Sequence, residues 1–362
     1  MSVTGAAAVR PELAGVEPYG APQLDVPVRL NTNETPEPPP AAFLADLSAA
    51  VGELELNRYP DREATALRTA LGRREGLDPD RVWVANGSNE VLLQLLQAYG
   101  GPGRRALAFT PGYSMYPELC RTTGTRLELV PLGADGRPDP ADVAAAGAAA
   151  AAVVLLAHPN NPTGALLGAA ELRALHDAVG GLLVVDEAYV EFAPAGSSVR
   201  PLLDELPRLV VSRTFSKAFR LAGLRVGYLL GPAAVMADLR RVRLPYHLDA
   251  LAQRAAVLAL AHEEEFLAHR AATVAERERV AAALAALPGV RVHPSAANFL
   301  LFETELPDLF DRLLARGVLV RDMAASVGRP GALRVTIGTR AEDDAFLAAT
   351  TAALADGIPE GT

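Results

Sequence analysis

The stretch Leu182-Leu183-Val184-Val185-Asp186-Glu187-Ala188-Tyr189 joins an apolar run directly to a carboxylate. Four aliphatic residues in a row, without polar alternation, are typical of a strand that is buried on both faces. In open α/β folds, ligands bind at the carboxyl ends of such strands. The pattern therefore predicts that Asp186 lies beside a ligand, where a buried carboxylate needs a cationic partner. An ordinary turn or a helix N-cap is the alternative for this segment.

Similar apolar runs recur on both sides of this stretch and alternate with segments of helical length. The predicted strands are 81–85, 105–109, 127–130, 153–157, 182–186, 209–212 and 226–230. Alternation of this kind is typical of a mostly parallel sheet with helices on both faces. We therefore predict an α/β fold built on a mostly parallel seven-stranded sheet.

The order of predicted helices and strands changes after Gly231. Alanine-rich helical segments are followed by short strands, predicted at 290–292, 298–302, 318–321 and 333–337. This order predicts a second, smaller α+β domain. We divide the chain into an N-terminal arm with part of the small domain (1–50), a large domain (51–245) and a small C-terminal domain (246–362).

Composition excludes several classes of function. Among 362 residues, 34 are lysine or arginine and 43 are aspartate or glutamate, which gives a net charge of −9 and argues against nucleic-acid partners. The single Cys120 and six scattered histidines offer no metal-ligand spacing. The longest apolar run, 143–157, is too short for a membrane span, and 1–16 lacks the features of a secretory signal. We expect a cytoplasmic protein without membrane contact.

Lys217 is the only lysine in the chain. It follows Ser216 just after a predicted strand and stands between Phe215 and Phe219. Desolvation lowers the pKa of an amine, which a nucleophile that forms a Schiff base requires. Asp186, 31 residues earlier, can hold a pyridinium nitrogen protonated, so the pair predicts a ring cofactor that acts as an electron sink. A surface lysine is the alternative.

Asn86-Gly87-Ser88-Asn89-Glu90 ends one strand and opens a helix. The free N–H groups of Ser88 and Asn89, with the helix dipole behind them, predict an anion site. Neither the dinucleotide glycine pattern nor the nucleotide P-loop is present, so a small monophosphate is favoured. Arg225 can add a positive charge for the same phosphate. Ser88 as a simple N-cap is the alternative.

Two further elements carry polar groups in defined places. His158-Pro159-Asn160-Asn161-Pro162-Thr163-Gly164 is a rigid turn from which the Asn161 amide could hold an oxygen atom, although a plain turn explains it too. Arg321 and Arg334 stand in apolar strands and need anionic partners. Those partners are either a bound carboxylate or an internal acidic side chain.

In order, the Asn-Pro-Thr-Gly turn, Asp-Glu-Ala-Tyr, Ser-Lys and the following arginine resemble the fold-type I pyridoxal-phosphate enzymes over nearly the whole chain. Within that superfamily the sequence is similar to the histidinol-phosphate aminotransferases, which are class II-like. The stretches that carry this likeness are 16–20, 30–34, 58–61, 86–90 and 243–247. The resemblance implies a pyridoxal-phosphate-dependent aminotransferase with a large and a small domain.

The resemblance also implies how the cofactor ring is held. Lys217 is expected to form the Schiff base and then to shuttle a proton, and Asp186 to contact the ring nitrogen. Asn161 and Tyr189 are expected to donate to the phenolate oxygen, while Tyr113 stacks on the ring.

For the cofactor phosphate, the resemblance implies contacts from Ser88, Asn89, Ser216 and Arg225. Tyr59 is expected to reach the phosphate of a neighbouring subunit. This implies a homodimer whose active sites are shared between its two chains.

For the substrates, the resemblance implies that Arg334 clamps the carboxylate of glutamate or 2-oxoglutarate. Tyr19, Asn33 and Arg321 are expected to contact the amino substrate or its phosphate. One departure is Glu37, because an acidic side chain in the substrate pocket would repel a phosphate.

The implied reaction converts histidinol phosphate and 2-oxoglutarate to imidazole acetol phosphate and glutamate in histidine biosynthesis. Three alternatives stay open. An aromatic (phenylalanine) aminotransferase would share every cofactor residue, and a decarboxylase of an amino-acid phosphate would share the fold. A cofactor-sensing DNA-binding regulator is opposed by the negative charge and by motifs that begin at Val16.

Overall fold

A seven-stranded sheet forms the centre of the protein, for which a computed structural model describes residues 9–356. All seven strands predicted before residue 231 belong to it, with ends within two residues of the prediction. Their observed bounds are Val82–Ala85, Arg105–Thr110, Arg126–Pro131, Val153–Ala157, Leu182–Asp186, Leu209–Thr214 and Gly227–Leu230.

Strand direction in this sheet confirms the prediction of a mostly parallel arrangement. Gly227–Leu230 runs antiparallel to both of its neighbours, and the other neighbouring strands run parallel. Leu182–Asp186 lies in the middle, between Val153–Ala157 and Leu209–Thr214. In register, Asp186 stands beside Ala157 on one side and Ser212 on the other, so these strands end at a common edge.

Helices cover both faces of the sheet, which explains why its central strands carry apolar side chains on each side. On one face lie Gly87–Tyr99, Met115–Thr123 and Ala233–Val242. On the other face lie Ala41–Val51, Thr65–Glu75, Pro140–Ala145, Ala169–Ala178, Ala250–Ala261 and Glu263–Leu267. None of the helices in residues 9–356 is long and apolar enough to cross a membrane.

A smaller α+β unit has its own hydrophobic core. Its antiparallel sheet contains, in spatial order, Arg321–Asp322, Ala332–Thr336, Phe299–Thr304 and Val290–Val292. A separate parallel pair joins Val28–Arg29 to Val318–Leu319. The helices of this part of the chain are Arg270–Ala285, Leu309–Ala315, Ala324–Val327 and Arg340–Ala355.

One detail differs from the sequence expectations. The single strand predicted at 318–321 is divided, because Val318–Leu319 pairs with the N-terminal segment while Arg321–Asp322 joins the small sheet. The domain boundaries at 50 and 245 stay a prediction. Since Ala41–Val51 and Ala250–Ala261 pack into the core of the large sheet, we propose boundaries nearer 40 and 270.

A buried ionic network supports the strand ends beneath the cavity described below. The Arg213 guanidinium contacts Glu187 and Glu75, each at 2.9 Å. Glu187 follows Asp186 directly and is fully buried, and it also accepts a hydrogen bond from the Ser198 hydroxyl at 3.0 Å. A buried charge is tolerated only with partners of this kind.

Removing the arginine of this network should destabilise the fold strongly. Arg213→Leu leaves Glu187 buried without its guanidinium, so we expect a loss of about 3–5 kcal/mol in the free energy of unfolding. Arg173→Leu is the matched control, because the Arg173–Glu205 pair is exposed to solvent, and its effect on the free energy of unfolding should be small by comparison. Urea unfolding followed by circular dichroism measures both, and equal losses would contradict the prediction.

Candidate active site

A cavity of about 530 Å³ opens where the parallel strands end and is walled on its other side by the small sheet. Thirteen of the fourteen predicted site residues line it. They are Tyr19, Asn33, Ser88, Asn89, Tyr113, Asn161, Asp186, Tyr189, Ser216, Lys217, Arg225, Arg321 and Arg334. These residues come from the N-terminal segment, from the ends of five strands of the large sheet and from the small sheet, and folding alone brings them together.

The Lys217 amine lies inside the cavity. Its Nζ donates a hydrogen bond to the Thr32 carbonyl oxygen at 2.8 Å and stands 5.7 Å from the centre of the Tyr189 ring. Burial, with a further contribution from the nearby Arg334 guanidinium, lowers the pKa of Lys217 to about 7. Near neutral pH, much of this amine is therefore uncharged and nucleophilic.

The source of this desolvation differs from the expectation. Phe215 and Phe219 pack against each other in the core of the large sheet, with ring centres 4.8 Å apart, and neither lines the cavity. The amine is instead enclosed by the N-terminal segment and by Tyr189, which the sequence places far away.

Asp186 is buried at the floor of the cavity. Its Oδ2 accepts a long hydrogen bond of 3.5 Å from the Tyr116 hydroxyl, and its Oδ1 has no hydrogen-bond partner within residues 9–356. Burial raises the pKa of Asp186 to about 7. A buried, unpartnered carboxylate oxygen is costly, and a cationic N–H in the cavity, such as that of a protonated pyridine ring, would satisfy it.

One end of the cavity is built for an anion. Ser88 and Asn89 stand in the first turn of the helix Gly87–Tyr99, where backbone N–H groups are free. The Arg225 Nη1 donates to the Ser216 hydroxyl at 3.0 Å. A Cβ atom at Gly87 would lie 2.5 Å from the Arg225 Nη2, so the missing side chain lets the guanidinium reach the helix start. A phosphate group fits this arrangement.

Hydrogen bonds join the two sheets across the middle of the cavity. The Tyr189 hydroxyl accepts from the Asn33 amide at 3.0 Å and from the Asn161 amide at 3.4 Å. The Asn161 Oδ1 in turn accepts from Arg334 Nη1 at 2.6 Å, while Arg334 Nη2 donates to the Asn31 carbonyl at 2.8 Å. Side chains from four separate segments of the chain thus fix one another.

Two arginines face each other on neighbouring strands of the small sheet. Arg321 is directly opposite Arg334 in the antiparallel register, and both line the cavity. Arg334 is buried, and its Nε has no partner within the described chain, residues 9–356. Like charges in opposing positions repel each other, so this pair suits an anion that both guanidiniums can contact.

Tyr113 and Tyr19 are the remaining predicted aromatic residues that line the cavity. The Tyr113 hydroxyl donates to the Asn89 side-chain oxygen at 3.1 Å, which places Tyr113 between the anion end and the entrance. The Tyr19 and Ser114 hydroxyls are 3.0 Å apart, so the N-terminal arm reaches across the cavity mouth.

Tyr59 is the one predicted residue outside the cavity of its own chain. Its side chain is 80% exposed, and its ring stacks on Tyr246 with centres 4.4 Å apart. The expected contact of Tyr59 with a neighbouring chain stays a prediction.

Glu37 does not line the cavity. Its half-buried carboxylate lies near Arg220 and His269 instead. The repulsion described for an acidic side chain in the substrate pocket therefore does not arise from Glu37 in this geometry.

Several cavity residues were not predicted individually. They are Thr32, Ser114, Glu118, Asp322 and Ser326. None of them has a residue type or spacing that marks it individually, and only the packing of the two sheets brings them to one cavity. For Thr32 the functional atom is a backbone oxygen, which no side-chain pattern could indicate.

Comparisons with known proteins agree with this geometry. The family model described as aminotransferase class I and II matches residues 26–349. The chain is 51% identical over 356 residues to the histidinol-phosphate aminotransferase of Mycolicibacterium smegmatis, covering 94% of this chain and 92% of that protein. It is 49% identical over 362 residues to that of Nocardia farcinica, covering 97% and 92%.

A solved structure shares the whole architecture. The histidinol-phosphate aminotransferase of Sinorhizobium meliloti, determined in complex with pyridoxal-5'-phosphate, superposes with a TM-score of 0.88 at 27% identity, covering 98% of this chain and 100% of that one. From the matched family model and the half-identical relatives, the chain belongs to the class I and II aminotransferases and, among them, to the histidinol-phosphate aminotransferases.

Proposed function

We propose that this protein binds pyridoxal phosphate and transfers the amino group of histidinol phosphate to 2-oxoglutarate. The products are imidazole acetol phosphate and glutamate. The observation that carries the proposal is a single cavity lined by both Lys217 and Asp186. The same cavity contains the anion site and the Arg321–Arg334 pair. A cytoplasmic location stays a prediction.

Bound pyridoxal phosphate supplies an electron sink for the carbon that carries the amino group. Asp186 is proposed to accept the hydrogen bond from the ring N–H, and the charge pairing satisfies its free Oδ1. Tyr189 and Asn161 hold the ring oxygen, and Tyr113 covers the ring face. The phosphate is held by Ser88, Asn89, Ser216 and Arg225.

Lys217 is proposed to move the proton of the reaction. An amine with a pKa of about 7 can take a proton from the substrate carbon and return it to a neighbouring atom at neutral pH. The Thr32 carbonyl oxygen orients the amine by accepting its hydrogen bond. Lys217 is thus both nucleophile and general base, in successive steps.

Arg321 and Arg334 are proposed to hold the anionic group of each substrate in turn. A phosphate dianion can contact both guanidiniums at once, and a carboxylate can form a bidentate pair with Arg334. Tyr19 and Asn33 complete this end of the cavity. The alternative phenylalanine substrate has no phosphate, so the paired arginines favour histidinol phosphate.

A second copy of the chain is proposed to cover the surface around Tyr59. Leu56 and Leu244 are 71% and 73% exposed, and they flank the stacked Tyr59 and Tyr246. Exposed apolar side chains grouped in this way mark an interaction surface. In the proposed homodimer, Tyr59 reaches the anion end of the partner cavity.

The first test is a half-reaction on the cofactor-loaded protein without any keto acid. Histidinol phosphate should convert the visible absorbance of the bound cofactor much faster than phenylalanine does, because only histidinol phosphate engages both arginines. Stopped-flow absorbance measures both rates. The reverse order would support an aromatic aminotransferase. The decarboxylase alternative needs a separate assay with an O-phosphorylated amino acid, because histidinol phosphate has no carboxylate, and release of carbon dioxide there would support a decarboxylase.

The arginine pair is tested by Arg321→Gln. Losing a charge-assisted hydrogen bond, worth about 1.5–3 kcal/mol, should raise the KM for histidinol phosphate about 10- to 150-fold. Arg291→Gln is the control, because Arg291 is exposed on the same small sheet and lies outside the cavity. Steady-state kinetics compares the two variants, and an unchanged KM in Arg321→Gln would contradict the assignment.

The shared site is tested by mixing two inactive variants. Tyr59→Ala and Lys217→Ala each damage every site of their own homodimers. A heterodimer contains one site with neither change, so a refolded mixture should recover activity that neither variant has alone. No recovery in a mixture shown by mass spectrometry to contain heterodimers would contradict the role of Tyr59 across the interface.

A further inference from the structure

Residues 30–38, here called the crossing segment, run from the small sheet to the core of the large one past Lys217. At its start, the Leu30 N–H donates to the Leu319 carbonyl at 2.7 Å, within the small unit. Beyond its end, Phe43 is buried among the side chains under the large sheet. The crossing segment is therefore held at both ends, each by a different part of the protein.

Between those ends, the crossing segment makes three hydrogen bonds to the loop that carries Lys217, residues 215–221. The Thr35 hydroxyl donates to the Lys217 carbonyl oxygen at 2.9 Å, and the Thr32 carbonyl accepts from Lys217 Nζ at 2.8 Å. The Arg220 Nη1 donates to the Pro38 carbonyl at 3.1 Å. Both the main chain and the amine of the lysine are thus fixed by a segment more than 180 residues away in sequence.

Within its own loop, the lysine has little regular support. Residues after the strand Leu209–Thr214 form no helix or strand until a short turn at Ala222–Leu224, and Arg220 adopts φ +53°. The Lys217 carbonyl also accepts from the Arg220 N–H at 2.9 Å, which closes only a local turn. Thr35 adds a side-chain contact from the crossing segment to the Lys217 carbonyl, beside the packing of Phe215 and Phe219 in the core and the Arg220 contact to Pro38.

We propose that Thr35 is a positioning residue: its hydroxyl holds the Lys217 main chain so that the amine stays enclosed against the Thr32 carbonyl. The Glu37 carboxylate lies near Arg220 of the same loop and near His269. The inference rests on the proposed role of Lys217 but concerns only the position of its amine.

The enclosure sets the charge state of the amine. The charged groups that act on it are Arg334 from the small sheet, Arg225 from its own loop and Glu34 from the crossing segment, and Tyr189 presents its ring. Burial is the largest of these effects and keeps the pKa of Lys217 low. If the loop is released, the amine gains water and its pKa rises toward the ordinary value for lysine.

Because Lys217 is the only lysine, its amine is the only side-chain amine with which an acylating reagent can react. The full-length protein is freed of cofactor, and limiting acetic anhydride is applied across pH 6–10 to the wild type, Thr35→Val and Thr35→Ser. Mass spectrometry of the Lys217 peptide, kept separate from the N-terminal peptide, gives the pKa of the amine. Circular dichroism melting shows whether each variant is folded.

We expect Thr35→Val to raise the measured pKa by about one unit, which lowers labelling at pH 7 about fivefold. Thr35→Ser retains the hydroxyl and should keep the wild-type profile. A folded Thr35→Val with an unchanged pKa would overturn the proposal, as would a Thr35→Ser profile equal to that of valine. If Thr35→Val does not fold, an altered Thr35→Ser profile alone overturns it and a wild-type one supports it.

A second readout separates this inference from the proposed reaction. The rate at which the cofactor-free protein recaptures pyridoxal phosphate, followed by its absorbance at pH 7, should fall in Thr35→Val and not in Thr35→Ser. Should the protein prove inactive on histidinol phosphate, both the labelling profile and the recapture rate would still decide the role of Thr35.

Discussion

A buried carboxylate at the end of an otherwise apolar central strand constrains the rest of this structure. Moving the charge of Asp186 out of water costs several kcal/mol unless a cation or hydrogen-bond donors compensate. The neighbouring Glu187 is compensated from below by Arg213, whereas Asp186 keeps an oxygen free toward the cavity. The two adjacent carboxylates therefore differ in function. Glu187 stabilises the sheet through its ion pair, and Asp186 faces the cavity where a ligand can bind.

The two sheets meet through polar contacts, and this determines how the cavity is closed. Arg334, Asn161, Tyr189 and Asn33 form a chain of hydrogen bonds from the small sheet to the large one. Because each member needs the others to satisfy its buried polar atoms, the network fixes the relative placement of its side chains. The same groups face the cavity, so the contact between the units and the binding of a ligand share one set of atoms.

Much of this arrangement could be predicted from the sequence because the strands are uniformly apolar and the polar residues that follow them stand at one edge. The strand Leu182–Asp186 was predicted with its observed bounds, and Lys217, Asp186 and Asn161 were singled out by residue type and position. The surroundings of the lysine could not be predicted, since Phe215 and Phe219 point into the core and the enclosing contacts come from Thr32 and Thr35. The division of 318–321 into two strands likewise depends on pairing with Val28–Arg29, which no local pattern encodes.

The parallel pairing of Val28 with Val318 has a consequence for synthesis on the ribosome. Val28–Arg29 is translated before every strand of the large sheet, and its partner Val318–Leu319 is translated after all of them. Closing so long a loop is slow relative to local folding, since the entropy of closure is lost before the contacts form. The large sheet can assemble from strands that are close in sequence, while Val28–Arg29 has no partner strand yet. The small unit is therefore completed after the large sheet, and the cavity between the two units forms later than the sheet that supports it.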